Sequence, residues 1–498
     1  MRKNLLKLLM LFSLLILSAC TYSTAPSATP DETAASAPPL MEQTAPSRTQ
    51  EVRTTQESGT QTAVTTEVEV TEESLPEGEP TPTIEDPFAS VDPSGQRVFL
   101  WYFLPAQGPA DLAFNRVVDL FNQNNPDGIF IDAYNQSTPT GILTRTLPVL
   151  NTVDVPGLIM TDADLVYQLD DGLLDLNPLL NSPRWGFSPD QQAGFSQPML
   201  TQGQFPTYTE QLLSFPLLRQ AHVLYSNTEW ITELGFVRSP RTAEELQNLA
   251  CLASSTAMRR ASSDSLIGLQ VDPGLASMAA LINAFGGEIG GPDSSVYEVN
   301  TPAAIEAMQY LQSLTAADCA GLGPVNQEAI TDFGAAREAL LLASITHMTE
   351  LESAVEAGRA FAWNASGFPA PEETQAPVII PGLNFSIPRS SPEQMLAAWL
   401  FVRYFHSPKA QAVWIPVTGS IPISVQLAEE AGMPAAYTNV LRQVDQSLFV
   451  AALPQYAAVD QLAAQAMQEI AAGASVERRL AQLQAEIDER TAGFFNQP

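Results

Sequence analysis

The sequence predicts an α/β fold built on a parallel sheet and spread over more than one domain or lobe. Three observations predict it. Strand-type and helix-type periodicities alternate between residues 97 and 160. The segment 21–96 is too poor in large apolar residues to fold. About 400 residues then remain, more than one core usually serves.

The elements follow in order. Arg97-Val-Phe-Leu-Trp-Tyr102 reads as a buried strand. Leu112, Phe114, Val117, Val118 and Phe121 recur at helical spacing, so Asp111–Asn124 reads as a helix that Asn125-Pro126-Asp127-Gly128 ends. Ile129–Tyr134 is the next strand, a helix starts near Gly141, and Gly157-Leu-Ile-Met160 is a third strand. Strand–helix–strand units of this length imply parallel pairing with right-handed crossovers. Ser214–Asn227 looks like strands passing between regions. Thr242-Ala-Glu-Glu245 is a capping box. Thr301-Pro302 opens a helix with Thr as N-cap and Pro in the first position, its apolar face being Ile305, Met308, Leu311 and Leu314. Ser391-Pro392-Glu393 opens another that runs to about Phe405, with Trp399 as a core residue. Val459–Ala492 is helical and amphipathic, and no internal repeat is visible.

The N-terminus, MRKNLLKLLMLFSLLILSAC, has a basic start at Arg2, Lys3 and Lys7 and an apolar core from Leu8 to Leu17. That core is far shorter than the roughly 20 residues of a spanning helix and fits a secretory signal. Leu17-Ser18-Ala19-Cys20 resembles a bacterial lipobox, which implies cleavage after residue 19 and a lipid on Cys20; a plain signal with a chance Cys is the alternative. The mature chain is then extracytoplasmic and held at the membrane by lipid alone. Residues 20–96, rich in Thr, Ser, Pro and Glu, read as a disordered linker with an r.m.s. reach on the order of 50 Å.

Asp and Glu number 55 against 23 Lys and Arg, a formal net charge of −32. An acidic body repels phosphate backbones, so no nucleic-acid partner is expected, and the charge serves solubility. The low Lys and Arg count also disfavours an anionic ligand. With Cys20 assigned to lipid, Cys251 and Cys319 remain. In an oxidising compartment they either pair or stay as two buried thiols. No C-x-x-C and no Cys/His metal spacing occurs, so no metal and no cofactor is expected.

The order of motifs resembles the extracellular solute-binding proteins of ABC importers, in the branch that mostly binds sugars and related solutes. The stretches that carry the resemblance are VFLWYFLPAQGPADLAFNRVVDLFNQNNPDGIFIDAYNQ, GLIMTDADLVYQLDDGLLDLNPLL, SFPLLRQAHVLYSNTEWITELGFVRSPRTAEELQNLA, AFGGEIG, FGAAREALLLASI and SIPRSSPEQMLAAWLFVRYFHSPKAQAVWIPVTGSIPIS. The resemblance implies a two-lobed periplasmic-binding-protein fold with crossover hinge strands and a cleft between the lobes. Residues 97–216 and 383–412 would form lobe 1, and 217–382 and 413–498 lobe 2. It implies capture of a small solute, a sugar or polyol, by hinge closure. The partner would be an ABC permease in the membrane, and the protein a monomer. A non-transport lipoprotein of the same fold, acting as sensor or scaffold, is the alternative.

A sugar site needs aromatic faces for stacking and a few polar groups on apolar walls. In sheets of this kind ligands lie beyond the carboxyl ends of the strands. The candidates are therefore Trp101 and Tyr102, of which strand alternation sends one into the core, and Asp162, with helix capping as its other role. Asp164 reads mainly as a cap. Gln220 and His222 lie on the crossover, and Ser344 and His347 follow a lobe-2 strand. Trp363 is cleft or core, Asn384 is near the return crossover, and Gly419 and Pro422 shape a turn at the cleft floor. Met160 and Thr161 stand where maltodextrin-type members carry an aromatic, which weighs against a long oligosaccharide. Gly-x-Ser-x-Gly, His-Glu-x-x-His and P-loop motifs are absent, and the Gly-rich 286–291 lacks the strand-to-helix setting of a dinucleotide fingerprint. No catalytic residue is assigned, and the chain is read as a binding protein rather than an enzyme.

Overall fold

A computed structural model describes residues 86–202, 210–260, 267–290, 294–429 and 431–495. The signal, Cys20 and the linker up to residue 85 lie outside the described residues. Among the described residues no helix is long and apolar enough to cross a membrane.

The strands are β1 (Arg97–Tyr102), β2 (Phe130–Asn135), β3 (Leu158–Thr161), β4 (Phe215–Pro216), β5 (Gln220–Asn227), β6 (Ile267–Val271), β7 (Ala320–Leu322), β8 (Glu338–Ser344), β9 (Trp363–Ser366), β10 (Phe368–Ala370), β11 (Thr374–Ala376), β12 (Val378–Ile380), β13 (Asn384–Ser386) and β14 (Leu448–Phe449). Two sheets organise them. Lobe 1 is the five-stranded sheet β2-β1-β3-β13-β4, parallel through β2, β1 and β3 and antiparallel beyond. Lobe 2 is the sheet β14-β12-β5-β8-β6-β7, with β9 added on β5.

The parallel part of lobe 1 is made by short crossovers. Helix α1 (Pro109–Asn124) connects β1 to β2 and buries Phe114, Val117, Val118 and Phe121 against Val98 and Leu100. Helix α2 (Pro139–Thr146), capped by Thr138 accepting from the Gly141 amide, connects β2 to β3. Alternation along β1 sends Val98, Leu100 and Tyr102 into this core and Phe99 and Trp101 to the other face. The helix Pro392–Phe405 returns to the same core with Trp399 fully buried, its N-cap Ser391 accepting from Gln394.

Lobe 2 has a larger apolar core, built by the helices Ala243–Arg260, Leu275–Ala284, Pro302–Ala316, Tyr456–Ala471 and Val476–Phe495 around β5, β6 and β8. Thr301 caps its helix through the Ala304 amide as its sequence predicts. The box at Thr242 is only half made. Thr242 accepts from Glu245, whereas the Glu245 carboxylate reaches back one residue further to the Arg241 amide and pairs with Arg238. Cys251 and Cys319 are joined by a disulfide that ties the helix Ala243–Arg260 to the entrance of β7. The amphipathic C-terminal run is two helices, broken where Gly473 takes φ +100°.

Two expected boundaries need correction. The folded body begins before Arg97: Phe88 is buried in the lobe-1 core, its carbonyl accepts from the Trp185 indole at 2.8 Å, and Ser182 donates to Asp86 at 2.6 Å. A single large aromatic in a polar segment supplied that anchor. The change of lobe expected between 412 and 413 falls inside the helix Pro408–Thr418. Trp414 of that helix is fully buried with its ring 5.4 Å from Phe405 and 6.2 Å from Phe114, so the chain stays with lobe 1 through Thr418.

Candidate functional site: the cleft edges and the hinge

The chain crosses between the sheets at 217–219 and 381–383, and again near 419–423. Arg219 holds these crossings together. Its guanidinium donates to the carbonyls of Leu218 (3.1 Å) and Leu383 (3.1 Å), to Met199 (3.4 Å), and to the Asn384 side-chain oxygen (2.8 Å). Its own amide donates to Ser420 and its carbonyl accepts from Ile421. The side chain is fully enclosed, and burial lowers its pKa to about 9. Gly382 is required beside it, since a Cβ there would lie 1.9 Å from the Leu218 carbonyl oxygen. Gly419 ends the helix Pro408–Thr418 in the left-handed region, φ +62°, and starts the third crossing. The Asn384 side-chain oxygen is thus taken up by the hinge.

From this hinge the two sheets present one edge each to a common cleft. On the lobe-1 side, β3 ends at Thr161 and Asp162 caps α3 (Ala163–Leu169), accepting from the Leu165 amide at 2.9 Å. Burial pushes the Asp162 carboxyl up to about 6; the Leu165 amide opposes this and the Asp164 charge adds to it. Asp164, expected mainly as a cap, leaves that role to Asp162. The Asp164 carboxylate accepts from the backbone amide of Gln455 in lobe 2 at 2.6 Å. One turn on, Tyr167 donates to the Phe494 carbonyl and its ring lies 5.1 Å from the Phe494 ring. Helix α3 therefore touches lobe 2 directly, and the lobes are closed against each other along it.

On the lobe-2 side, His222 stands at the start of β5, opposite Ser344 of β8 and Val378 of β12. It is 9% exposed, yet neither ring nitrogen has a hydrogen bond with any described residue: Nδ1 is buried without a partner and Nε2 is 3.9 Å from Asp272. Asp272 follows β6 and accepts from the Val325 amide at 3.3 Å. Asp460 accepts from the Leu275 amide at 2.7 Å; burial raises its pKa, with His222 opposing and Asp272 adding. Gly274 permits this approach, because a Cβ there would sit 2.8 Å from the Asp460 carboxylate. Two lobe-2 carboxylates, Asp272 and Asp460, thus stand near the imidazole. Among the described residues no group suited to a metal ion is present.

The remaining candidates separate. Gln220 is half-buried at the cleft end of β5, paired across to Ile380. Ser344 is at the same edge, but its hydroxyl accepts from the Thr346 amide and hydroxyl and so caps a turn. His347 lies on a partly exposed face with Nδ1 3.6 Å from Glu350. Tyr102 is a correction: it is buried in lobe 1, donating to Asp111 at 2.8 Å and accepting from Asn115 at 2.9 Å, and burial pushes its hydroxyl up to about 12. Its neighbour Trp101 takes the other sheet face, half-buried beside the cluster of Ile142 and Ile159. Trp363 is a second correction. It pairs with Asn227, the end of β5 remote from the cleft, and packs near Tyr225 with ring centres 6.2 Å apart. The sequence reading missed Asp272, Asp460 and Arg219. Asp272 repeats the pattern that picked out Asp162, an Asp directly after a buried strand; Asp460, on a helix far along the chain, carries no such mark.

Comparison with known proteins bears on this geometry. The model of a family described as bacterial extracellular solute-binding proteins matches residues 117–439, more than half of the chain. None of the curated proteins matches by sequence. Among solved structures, the sugar-binding protein MalE from Xanthomonas citri superposes with a TM-score of 0.63 at 16% identity, covering 80% of this chain and 98% of that one. The cyclic α-maltosyl-1,6-maltose binding protein of Arthrobacter globiformis gives 0.61 at 19% identity, covering 80% and 99%. UgpB from Mycobacterium tuberculosis, in complex with glycerophosphocholine, gives 0.60 at 18% identity, covering 80% and 98%. At these identities the likeness is one of fold: two-lobed solute-binding proteins.

Proposed function

We propose that this chain, which belongs to the bacterial extracellular solute-binding proteins, captures a small sugar or related polyol between its lobes by hinge closure and delivers it to an ABC permease. Family membership places the working protein outside the cytoplasm. A lipid on Cys20, with the Thr/Ser/Pro/Glu-rich segment as tether, would keep it beside that permease.

The observation that carries the reading is the cleft edge itself. His222 is buried with no hydrogen bond to any described residue, Asp272 and Asp460 stand near it, and the helix that Asp162 caps meets lobe 2 at Gln455. Buried polar groups are ordinarily satisfied. A hydroxyl-bearing solute would supply the missing partner to the imidazole and donate to carboxylates that otherwise each hold a backbone amide. The inter-lobe bond from Gln455 to Asp164 gives closure its latch. Two of the three structures named above are sugar binders, which supports the solute class.

A thermal-shift screen against mono- and disaccharides, polyols and sugar phosphates tests it. A true solute at 100 times its Kd adds about 2.7 kcal/mol to stability. The reading falls if no member of such a panel moves the melting midpoint. The transport step is tested by deleting the gene, which should abolish uptake of the solute identified. The anchor is tested by Cys20→Ser, which should move the protein from the membrane fraction to the medium.

A further inference from the structure

We propose that the outer face of the lobe-1 sheet, away from the inter-lobe cleft, carries a second site that binds the pyranose rings of a glycan. Pairing of β1 with β2 puts Trp101 beside Tyr134 and Phe99 beside Asp132, on the face opposite the lobe-1 core. The crossover helix that would ordinarily cover this face is α2, only eight residues long. It spans roughly 12 Å, and its buried Ile142 reaches only the cluster that borders Trp101. Phe99, Phe130 and Tyr134 are left 43%, 48% and 45% exposed on the edge of the sheet.

The uncovered surface is shaped. A depression of about 270 Å³ is lined by Phe99, Trp101 and Tyr134 on its apolar side and by Gln136, Arg145 and Asp154 on its polar side. That is just under the roughly 300 Å³ at which pockets for drug-sized ligands begin, so it suits one sugar ring rather than a long chain. Phe99 and Tyr134 are 6.1 Å apart and tilted by 42°. Tyr134 is held by donating to Asp132, which also pairs with Arg97. The polar side is largely uncommitted, Gln136 donating only a long bond of 3.4 Å to the Tyr134 carbonyl. The Gln136 Oε1 is buried without a partner. The Arg145 guanidinium and the Asp154 carboxylate have no hydrogen bond or ion pair with any described residue, nor with each other.

An apolar wall that is aromatic, facing unpaired donors and acceptors, is the composition that a sugar ring needs: faces for its C–H bonds, partners for its hydroxyls. A lipid surface would leave the orphaned Gln136 oxygen desolvated and unpaired, at a cost. The glycan could be a cell-wall strand or a polymer from which the transported solute is cut, and both present the same ring chemistry.

Co-sedimentation of the full-length chain with purified peptidoglycan, starch granules and chitin tests this and identifies the source. The chain should pellet with at least one of them. Pelleting should fall roughly tenfold in Phe99→Ala/Tyr134→Ala, the scale expected for losing two stacking contacts, and should fall also in Arg145→Ala. Both variants alter exposed positions and should keep the wild-type melting midpoint and the wild-type thermal shift with any cleft solute, which separates this site from the cleft. The proposal is overturned if the wild type pellets with none of the three polymers, or if both variants pellet like the wild type. It is equally overturned if the double variant only converts a self-associated species to monomer in solution.

Discussion

Arg219 and His222 stand three residues apart at the entry to lobe 2, both almost fully buried, and they meet opposite fates. Arg219 has four oxygen acceptors and no charged partner, and all four belong to segments that meet at the hinge. His222 has no hydrogen bond with any described residue and has two carboxylates near it, Asp272 and Asp460. The two terminal nitrogens of the guanidinium are paired within the protein, though its buried Nε has no partner among the described residues; the imidazole has neither nitrogen paired. Lack of a partner alone does not mark a site, since the Trp414 indole is also buried and unpaired deep in lobe 1. The difference is position: His222 is at the strand edge that faces the other lobe.

The comparison breaks most visibly at Arg219. Arg219→Met keeps the volume and removes the donor from the Leu218 and Met199 carbonyls and the Asn384 side-chain oxygen, whereas the Leu383 carbonyl keeps the Leu217 and Leu218 amides. Each such group costs roughly 1–3 kcal/mol, so the variant should lose about 3 kcal/mol or more in urea denaturation. Arg219→Lys should recover only part, because an ammonium cannot fork to opposite walls. A loss below about 0.5 kcal/mol, the range of ordinary surface substitutions, would mean that the hinge does not depend on this residue.

Asp162 comes next. Its folded pKa of about 6 lies above the ordinary carboxylate value of 3.8. The neutral form is therefore favoured by folding. The stability it contributes is complete below the unfolded value and is lost as pH rises through about 6. A shift of this size corresponds to something on the order of 2–3 kcal/mol. Asp162→Asn retains the capping oxygen and removes the titration, so it should be more stable than the wild type at pH 7.5 and nearly equal at pH 4. Equal differences at the two pH values would show that the carboxyl is not desolvated.

These two residues also mark what the sequence made legible. Asp162 was readable because it follows a buried strand and precedes a helix, both local signals, and Ser391-Pro392 and Thr301-Pro302 were readable for the same reason. Arg219 was not, because its partners come from Met199, Leu383 and Asn384, and only tertiary structure brings those together. Trp363 was misread because alternation tells which face a side chain takes, not which end of a strand it occupies. β9 runs antiparallel to β5 and covers the half of β5 remote from the hinge. Tyr102 lost to Trp101 by parity alone, once the core face of β1 was known.

His222 should respond in the opposite sense to Arg219. His222→Leu removes an unsatisfied group from a buried position, so stability should stay level or rise slightly. Affinity for the cleft solute should fall about tenfold or more, equivalent to about 1.4 kcal/mol. Titration calorimetry with the solute found in the thermal-shift screen measures it. Unchanged affinity would make the imidazole a structural residue and erase the contrast with Arg219.

The smallest effect is expected where the two lobes merely touch. Tyr167 and Phe494 contribute one ring contact and one hydrogen bond to the closed arrangement, alongside the Asp164–Gln455 bond. An aromatic pair of this kind is worth roughly 0.5–1.5 kcal/mol beyond its buried area. Because Tyr167 donates to the backbone carbonyl of residue 494, Phe494→Ala removes the ring and spares the bond. The solute-free protein should then open more readily, with a larger radius of gyration in small-angle scattering. Saturating solute, which adds its own contacts to both lobes, should bring the variant back to the wild-type value. If the variant stays expanded with solute bound, the ring pair is part of the latch itself; if it never expands, closure rests on Asp164 and the hinge.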